Sequence, residues 1–163
     1  MKPFIGIIGQ RESGKSSVIR SLTGVPSSGF RGYIRNRETG ESIYVFASSP
    51  QEDPIDLADF KHRIRAAKNQ KGCRGIVCAI QPNRPRVRIS LEDIYKVVKA
   101  TNGLRAFAFL INPGHGARSA SSDLTADVTQ RLQNFRTKPH LLNGNRFPYQ
   151  NATAIEKATN LNG

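Results

Sequence analysis

The alternation of short apolar segments with amphipathic ones is the feature of this sequence that most restricts its fold. Apolar segments typical of buried strands occupy residues 2–9, 75–80 and 104–112. Segments with apolar residues at helical spacing follow them, at 15–24, 90–101 and 121–135 in the same order. Strands that alternate with helices in this way build an α/β layer fold whose sheet is mostly parallel.

Two neighbouring strand candidates, at residues 30–37 and 41–49, interrupt the alternation. A turn at Gly40 would join them as an antiparallel hairpin. With further helix candidates at 53–70 and 151–160 and a weaker strand at 139–143, the predicted order is β-α-β-β-α-β-α-β-α-β-α. We therefore expect a single domain over residues 1–163, with a mostly parallel six-stranded sheet, one antiparallel edge strand and helices in layers on both sides.

The composition restricts the class of protein further. Of 163 residues, 37% are hydrophobic and 23% are charged, as in ordinary globular proteins. No apolar run approaches the roughly 20 residues of a membrane span, and the first residues lead directly into a strand without a secretory pattern. We expect a cytoplasmic protein with no membrane anchor. Cys73 and Cys78 flank an apolar strand without zinc or redox spacing, which predicts reduced core cysteines.

A glycine-rich loop lies between the first strand and the first helix. Residues 9–16 read GQRESGKS and match the pattern G-x-x-x-x-G-K-[ST] at every defined position. In such loops the glycines let successive backbone N–H groups face phosphate oxygens, and the helix that follows adds the positive end of its dipole. Lys15 would reach the β- and γ-phosphates, and the Ser16 hydroxyl would bind Mg²⁺. Arg11 suits either a phosphate contact or a nearby acid.

With this loop and this element order, the chain resembles the Ras-like small GTPases and the core of the G-protein α-subunits, over roughly residues 4–158. The loop is similar to the α-subunit version, which also carries Glu-Ser before Gly-Lys-Ser. The resemblance implies a P-loop NTPase fold of Ras-like strand order, a bound nucleoside triphosphate or diphosphate, and Mg²⁺ as cofactor. The nucleotide-binding residues expected on this basis are Gly9, Gln10, Arg11, Glu12, Ser13, Gly14, Lys15, Ser16, Ser17 and Asn112, with Ser16 as the metal ligand.

The chain departs from the family after the third strand. There the family has Asp-x-x-Gly-Gln, whose Asp supports Mg²⁺ and whose Gly N–H meets the γ-phosphate. This chain has Ala47 and Pro50 at those positions, and proline has no N–H to donate. Gln51 falls where the family positions the attacking water, so Lys15 and Gln51 are the expected catalytic pair. Asp53 and Asp56 are the candidates to replace the missing carboxylate.

The base-recognition and first-switch segments also depart from the family. Asn-Lys-x-Asp after the fifth strand becomes residues 112–115, which keep Asn112 and lose the Lys and the Asp that reads guanine. Asn112 is then either a base contact or a turn residue before proline. The loop at 144–146 stands where the family has Ser-Ala-Lys. The Thr of the first switch has three weak candidates in Thr23, Ser27 and Ser28.

These departures predict a protein that binds GTP or ATP but hydrolyses it slowly or not at all. Loss of one preorganised donor or carboxylate costs on the order of 2–4 kcal/mol of transition-state stabilisation, which is at least tens of fold in rate. The expected activity is therefore a slow GTPase-like NTPase at most. A small-molecule kinase that uses the same loop is an alternative, with lids at residues 83–88 and 114–122.

The net charge of +13 predicts a phosphate-rich or acidic partner, or simply a solvated basic surface. A second alternative function follows from it: a non-catalytic nucleotide-binding scaffold whose basic face contacts nucleic acid or an acidic protein. Much of the positive charge lies in three clusters. The third of them, at residues 31–37, is also explained by its place on the hairpin edge, where charged side chains discourage pairing between sheets. The clusters are Lys61, His62, Arg63, Arg65, Lys68, Lys71 and Arg74; Arg84, Arg86 and Arg88; and Arg31, Arg35 and Arg37.

Overall fold

A computed structural model describes residues 1–52, 55–82 and 89–162. These residues contain six strands, five α-helices and one short 3-10 helix at Gln133–Phe135. The strands are β1 (Lys2–Ile8), β2 (Arg31–Arg35), β3 (Ser42–Phe46), β4 (Cys73–Ile80), β5 (Leu104–Ile111) and β6 (Pro139–Leu142). The helices are α1 (Lys15–Thr23), α2 (Leu57–Asn69), α3 (Leu91–Ala100), α4 (Ser122–Leu132) and α5 (Pro148–Thr159).

The six strands form one sheet in the order β2-β3-β4-β1-β5-β6. β2 and β3 pair antiparallel, and the other paired strands run parallel. The predicted α/β class, the mostly parallel sheet and the single antiparallel edge strand are therefore confirmed. The carboxyl ends of β1, β3, β4 and β5 meet at one edge, which is where open α/β sheets bind ligands.

Successive residues of the central strands point to opposite faces of the sheet, and each face has its own apolar cluster. On one face, Phe4 and Ile8 of β1 pack in the cluster that includes α2, α3 and α4. On the other, Ile5 and Ile7 pack in the cluster that includes α1 and α5. Because β1 is buried on both faces, the loop that follows it is anchored at the middle of the sheet.

Capping residues set several helix boundaries where the sequence indicated them. Ser90 opens α3 with a capping box, in which its hydroxyl accepts from the Asp93 N–H and the Asp93 carboxylate accepts from the Ser90 N–H. Ser121 caps α4 by accepting from the Leu124 N–H. The last helix begins at Pro148, three residues earlier than predicted, because proline suits the first turn of a helix.

The two cysteines, Cys73 and Cys78, are buried and free, as predicted. Burial raises the pKa of the Cys78 thiol, so the thiol stays protonated and unreactive. In the described parts of the chain, no helix combines the length and the apolar character needed to cross a bilayer.

Candidate functional site

A cleft of about 540 Å³ lies at the carboxyl edge of the sheet, between the end of β1 and the start of α1. Three further segments contribute to it: the loop before β2, the segment after β3, and the loop after β5. The lining residues are Arg11, Glu12, Ser13, Gly14, Lys15, Ser16, Ser17, Ser28, Gly29, Ala47, Ser48, Ser49, Glu52, Ala79 and His115. The structure thus brings most of the predicted nucleotide-binding residues together, from residue 11 to residue 17.

Lys15 is the central cation of the cleft. Its ammonium group donates hydrogen bonds to the carbonyl oxygens of Gly9 and Gln10. Burial lowers the pKa of Lys15 to about 8, and the nearby carboxylate of Glu52 opposes part of that shift. A half-buried ammonium whose hydrogen-bond partners are backbone carbonyls would gain from an anionic ligand.

The path of the loop depends on two glycines. Gly14 has φ of 102°, in the left-handed region, and is the N-cap of α1. A Cβ on Gly9 would lie 2.3 Å from Ser13 Oγ and 3.1 Å from Lys15 Cγ. Both positions therefore require glycine, as the pattern predicted.

Ser13 is only 5% exposed, and its buried hydroxyl has no hydrogen-bond partner among the described residues. Its carbonyl oxygen accepts from the His115 N–H at 3.0 Å, which ties the loop to the segment after β5. A buried unpaired hydroxyl costs about 1–3 kcal/mol. A ligand oxygen in the cleft would provide the missing partner.

The cleft offers oxygen ligands suited to Mg²⁺, among them the Ser16 hydroxyl and the carboxylates of Glu12 and Glu52. The ion prefers oxygen ligands and typically uses one or two carboxylates, phosphate oxygens and water. Ser16 lies exposed in the first turn of α1, and Glu52 lines the same cleft and accepts a hydrogen bond from Gln81 Nε2. In the described parts of the chain, no cluster of three or more His, Cys, Asp or Glu residues forms a metal site from protein groups alone. The donors present fit an ion held jointly with a ligand's phosphates.

Glu52 was missed as a candidate carboxylate. Asp53 lies outside the described residues, and Asp56 accepts from the Asp59 N–H at 2.7 Å as the N-cap of α2. The available signal was the position of Glu52, six residues beyond the end of the buried strand β3, whose carboxyl end lies at the edge of the sheet that holds the cleft. The sequence offered three acids within five residues and no means to choose among them.

Gln51 forms a bridge within the protein. Its Oε1 accepts from the Ser49 hydroxyl and the Gln81 N–H, both at 2.7 Å, and its Nε2 donates to the Gln81 carbonyl at 3.2 Å. These bonds join the segment after β3 to the end of β4. Gln51 does not line the cleft, and its catalytic role stays a prediction.

Asn112 is also engaged inside the protein. Its Nδ2 donates to the Ser121 carbonyl and to Thr125 Oγ1, and its Oδ1 accepts from the Ser121 N–H. The side chain therefore holds the β5–α4 connection together, and Asn112 is buried at 6% exposure. Of the two readings left open by the sequence, these contacts favour the structural one.

The three hydroxyl candidates of the first-switch segment differ in position. Ser28 lines the cleft. Thr23 is buried and donates to the Ile19 carbonyl inside α1, which accounts for its hydroxyl. Ser27 is exposed outside the cleft lining, and its carbonyl accepts from the Phe30 N–H. Ser28 is therefore the one of the three that is placed to contact a ligand.

Of the two segments suggested as lids for a kinase, the structure describes one. Residues 83–88, with Arg84, Arg86 and Arg88, lie outside the described residues. The 114–122 segment is fastened to the loop before α5, because Asn145 accepts from the Gly116 N–H and donates to the Ala117 carbonyl. A segment fastened in this way is poorly suited to open and close over an acceptor substrate.

The fold and the cleft together define an α/β protein with a cleft at the carboxyl edge of its sheet, lined by both basic and acidic side chains. Comparison with protein-family models and with curated proteins finds no match to the chain.

Proposed function

We propose that the chain is a P-loop protein of Ras-like architecture that binds a nucleoside triphosphate or diphosphate with the assistance of Mg²⁺. The observation that carries the proposal is the arrangement around Lys15. A half-buried ammonium held by backbone carbonyls lines the same cleft as an unpaired buried hydroxyl just before α1, and the cleft is large enough for a small ligand.

The start of α1 supports the same proposal. The first N–H groups of a helix have no partner within the helix, and the helix dipole favours negative charge there. Gly14 opens α1 without any side-chain cap that would occupy those N–H groups. Phosphate oxygens would satisfy them together with Lys15 and Ser13, while Ser16 and Glu52 would hold the Mg²⁺. The ion would neutralise phosphate charge when bound.

Strand order also favours a Ras-like P-loop fold over other α/β arrangements. The sheet order β2-β3-β4-β1-β5-β6, with an antiparallel β2, accompanies a phosphate-type loop after the central β1. Pro50 and the commitment of Gln51 to Ser49 and Gln81 favour binding with little turnover.

The test combines identification and titration. We expect mass spectrometry of the purified protein to find a copurified nucleotide, and calorimetry with Mg²⁺ to show triphosphate binding. Lys15→Ala should remove the copurified nucleotide and weaken binding by at least about thirtyfold. The matched control is Lys61→Ala, an exposed lysine of α2, which should bind normally. Failure of the wild-type protein to bind any nucleoside triphosphate with Mg²⁺ would refute the proposal.

A second candidate function, nucleic-acid binding by a scaffold, is favoured by a groove of about 320 Å³ at the opposite end of the sheet. Among the described residues that line it, five are basic or histidine and none is acidic. They are Lys99, Arg105, Arg136, Lys138 and His140. None of them belongs to the basic clusters predicted from the sequence. In the first of those clusters, Arg63 forms an ion pair with Asp59 and Arg74 forms one with Glu41.

Two features suit this groove to a phosphodiester chain. Guanidinium groups bind phosphates in a bidentate manner, and Arg105 and Arg136 provide two of them. The guanidinium carbon of Arg105 also lies 5.1 Å from the ring centroid of Phe107, in a cation–π contact. We expect salt-sensitive binding of a labelled oligonucleotide. The double variant Arg136→Glu/Lys138→Glu should weaken it at least tenfold, whereas Lys61→Glu/Arg65→Glu on α2 should have a smaller effect. Preferential binding of a polyglutamate peptide would instead indicate an acidic protein partner.

A further inference from the structure

A second cleft of about 240 Å³ opens beside the first and shares Gly14, Ser17 and His115 with it. The two clefts therefore adjoin at the start of α1. A ligand whose phosphates lie against the loop at residues 9–16 can place the rest of the molecule in this second cleft. The remaining lining residues are Val18, Gly144, Asn145, Arg146, Phe147, Pro148 and Asn151.

The walls of the second cleft suit a flat heterocycle. Two apolar residues line it: Pro148 of α5, and Val18 of α1, which is largely buried in the core. Phe147 is 66% exposed, and its ring stacks with that of Tyr149 at a centroid distance of 5.7 Å. An aromatic ring exposed at the rim of a cleft can cover one face of a bound base.

The hydrogen-bonding side chains that line this cleft belong to Ser17, His115, Asn145, Arg146 and Asn151. Among the described residues that line it, none carries a carboxylate. Asn145 Oδ1 accepts from the Gly116 N–H and its Nδ2 donates to the Ala117 carbonyl, while Asn151 Nδ2 donates to the Asn143 carbonyl, so each amide keeps part of its capacity for a ligand. His115 Nδ1 lies 3.3 Å from the Gly144 carbonyl oxygen, which requires a proton on Nδ1 and leaves Nε2 of the neutral ring as an acceptor. Arg146 can only donate.

This set of groups distinguishes the purines. Guanine presents two adjacent donors, N1–H and the 2-amino group, which together call for a pair of acceptors such as a carboxylate. Adenine presents one donor, the 6-amino group, beside the acceptor N1. We propose that the second cleft binds adenine in preference to guanine, with His115 as acceptor and Arg146 as donor. The inference rests on the proposed function, because it concerns the base of the same nucleotide.

The test is a competition titration with ATP, ITP and GTP in the presence of Mg²⁺. An unsatisfied donor in a partly closed site typically lowers affinity by about tenfold. We expect ATP to bind about tenfold or more tightly than GTP. ITP, which has the N1–H of guanine but no 2-amino group, should lie between them. GTP binding as tightly as ATP, or more tightly, would overturn the inference while leaving the proposed function intact.

Two variants of equal size test the role of His115. His115→Asp supplies a carboxylate and should shift the ratio of GTP to ATP affinity by about tenfold towards GTP. His115→Asn has nearly the same volume but no charge, and should leave ATP preferred. Equal ratios in the two variants would overturn the placement of the base at His115. Failure of all three nucleotides to bind the wild-type protein would instead refute the proposed function and, with it, this inference.

Discussion

The ammonium group of Lys15 donates a hydrogen bond to the carbonyl oxygen of Gly9, the residue that opens the same loop. The loop thus closes on its own cation, six residues further along the chain. Because Gly9 also accommodates the Ser13 hydroxyl, the cation and the unpaired hydroxyl are held at one place. The partial burial of Lys15 lowers its pKa, which makes its charge sensitive to pH in the range above neutrality.

The pKa of Lys15 predicts the pH dependence of nucleotide binding. Phosphate oxygens favour the protonated amine, so the pKa of Lys15 rises from about 8 when a triphosphate binds. Binding therefore takes up a proton above pH 8, and affinity should fall by up to tenfold per pH unit between about pH 8 and 10. Calorimetry in two buffers of different ionisation enthalpy at pH 8.5 would measure the proton uptake directly.

The same shift has the opposite effect on the stability of the empty protein. Between about pH 8 and the normal lysine pKa of 10.5, the unfolded chain binds more protons at this position than the folded one, so stability rises with pH. Lys15→Arg is the control for both effects, because its guanidinium stays charged throughout this range. Wild-type affinity that is flat from pH 7 to 9.5 would contradict the burial of Lys15.

Replacement of Glu52 should separate the role of Mg²⁺ from that of the phosphates. Glu52→Gln removes one of the two carboxylates that line the cleft, the other being that of Glu12, and we expect the Mg²⁺ concentration needed for half-maximal nucleotide binding to rise about tenfold. Without Mg²⁺ the variant should bind the triphosphate more tightly than the wild type, because one negative charge has gone. A Mg²⁺ titration of fluorescent-nucleotide binding measures both effects. Glu38→Gln, in the hairpin turn, should change neither.

The packing of β1 against α3 predicts a coupled pair of core substitutions. Tyr95 is fully buried, and its hydroxyl donates to the Phe107 carbonyl at 2.9 Å. A Cβ on Gly6 would lie 2.1 Å from that hydroxyl oxygen but 3.1 Å from the ring carbon that bears it. Gly6→Ala should therefore destabilise the protein by about 1–3 kcal/mol through overpacking.

Chemical denaturation of the double variant checks the cause. Tyr95→Phe alone should cost about 1 kcal/mol for the lost hydrogen bond. The Gly6→Ala/Tyr95→Phe protein should be more stable than the sum of the two single effects implies, because the oxygen that clashes is absent. Gly29→Ala serves as the matched control, since a Cβ there meets no atom within 4 Å. Strictly additive effects would contradict the predicted close approach.

The sequence predicted the fold well because each element carried a local signal. Ile-rich strands with caps such as Ser90 between them define both element type and order, and a mostly parallel sheet follows from that alternation. The signal for the loop at residues 9–16 was also local, because its glycines and their spacing indicate the course of the loop without reference to distant residues. Strand order needed the resemblance as well, because pairing partners lie far apart in sequence.

The rest of the site depended on contacts that no local pattern records. Glu52 reaches the cleft and Asp56 does not because Asp56 is occupied in capping α2. Asn112 follows the end of β5, where a residue that contacts the base was expected, but its side-chain amide forms hydrogen bonds with Ser121 and Thr125. The basic groove beside Arg105 joins residues from β5, β6 and α3, and no cluster in the sequence indicates it. Long-range partners decided each of these cases.

The final prediction concerns turnover and whether Gln51 takes part in it. We expect hydrolysis of the triphosphate below about 10⁻³ s⁻¹, the range of an unassisted active site of this kind. Because the Gln51 amide is held by Ser49 and Gln81, Gln51→Ala should leave that rate unchanged within about twofold. It should instead lower stability by about 1–2 kcal/mol, since Ser49 and Gln81 lose their partner.

Single-turnover hydrolysis and chemical denaturation of the same samples distinguish the two roles of Gln51. Gln130→Ala, an exposed glutamine of α4, should alter neither quantity. A positioning role for water would give a different result: Gln51→Ala would lower the rate tenfold or more while the denaturation midpoint stayed in place. That outcome would require the bonds to Ser49 and Gln81 to break when nucleotide binds. The segment after β3 would then have two conformations, one bonded to the end of β4 without nucleotide and one released from it when nucleotide is bound.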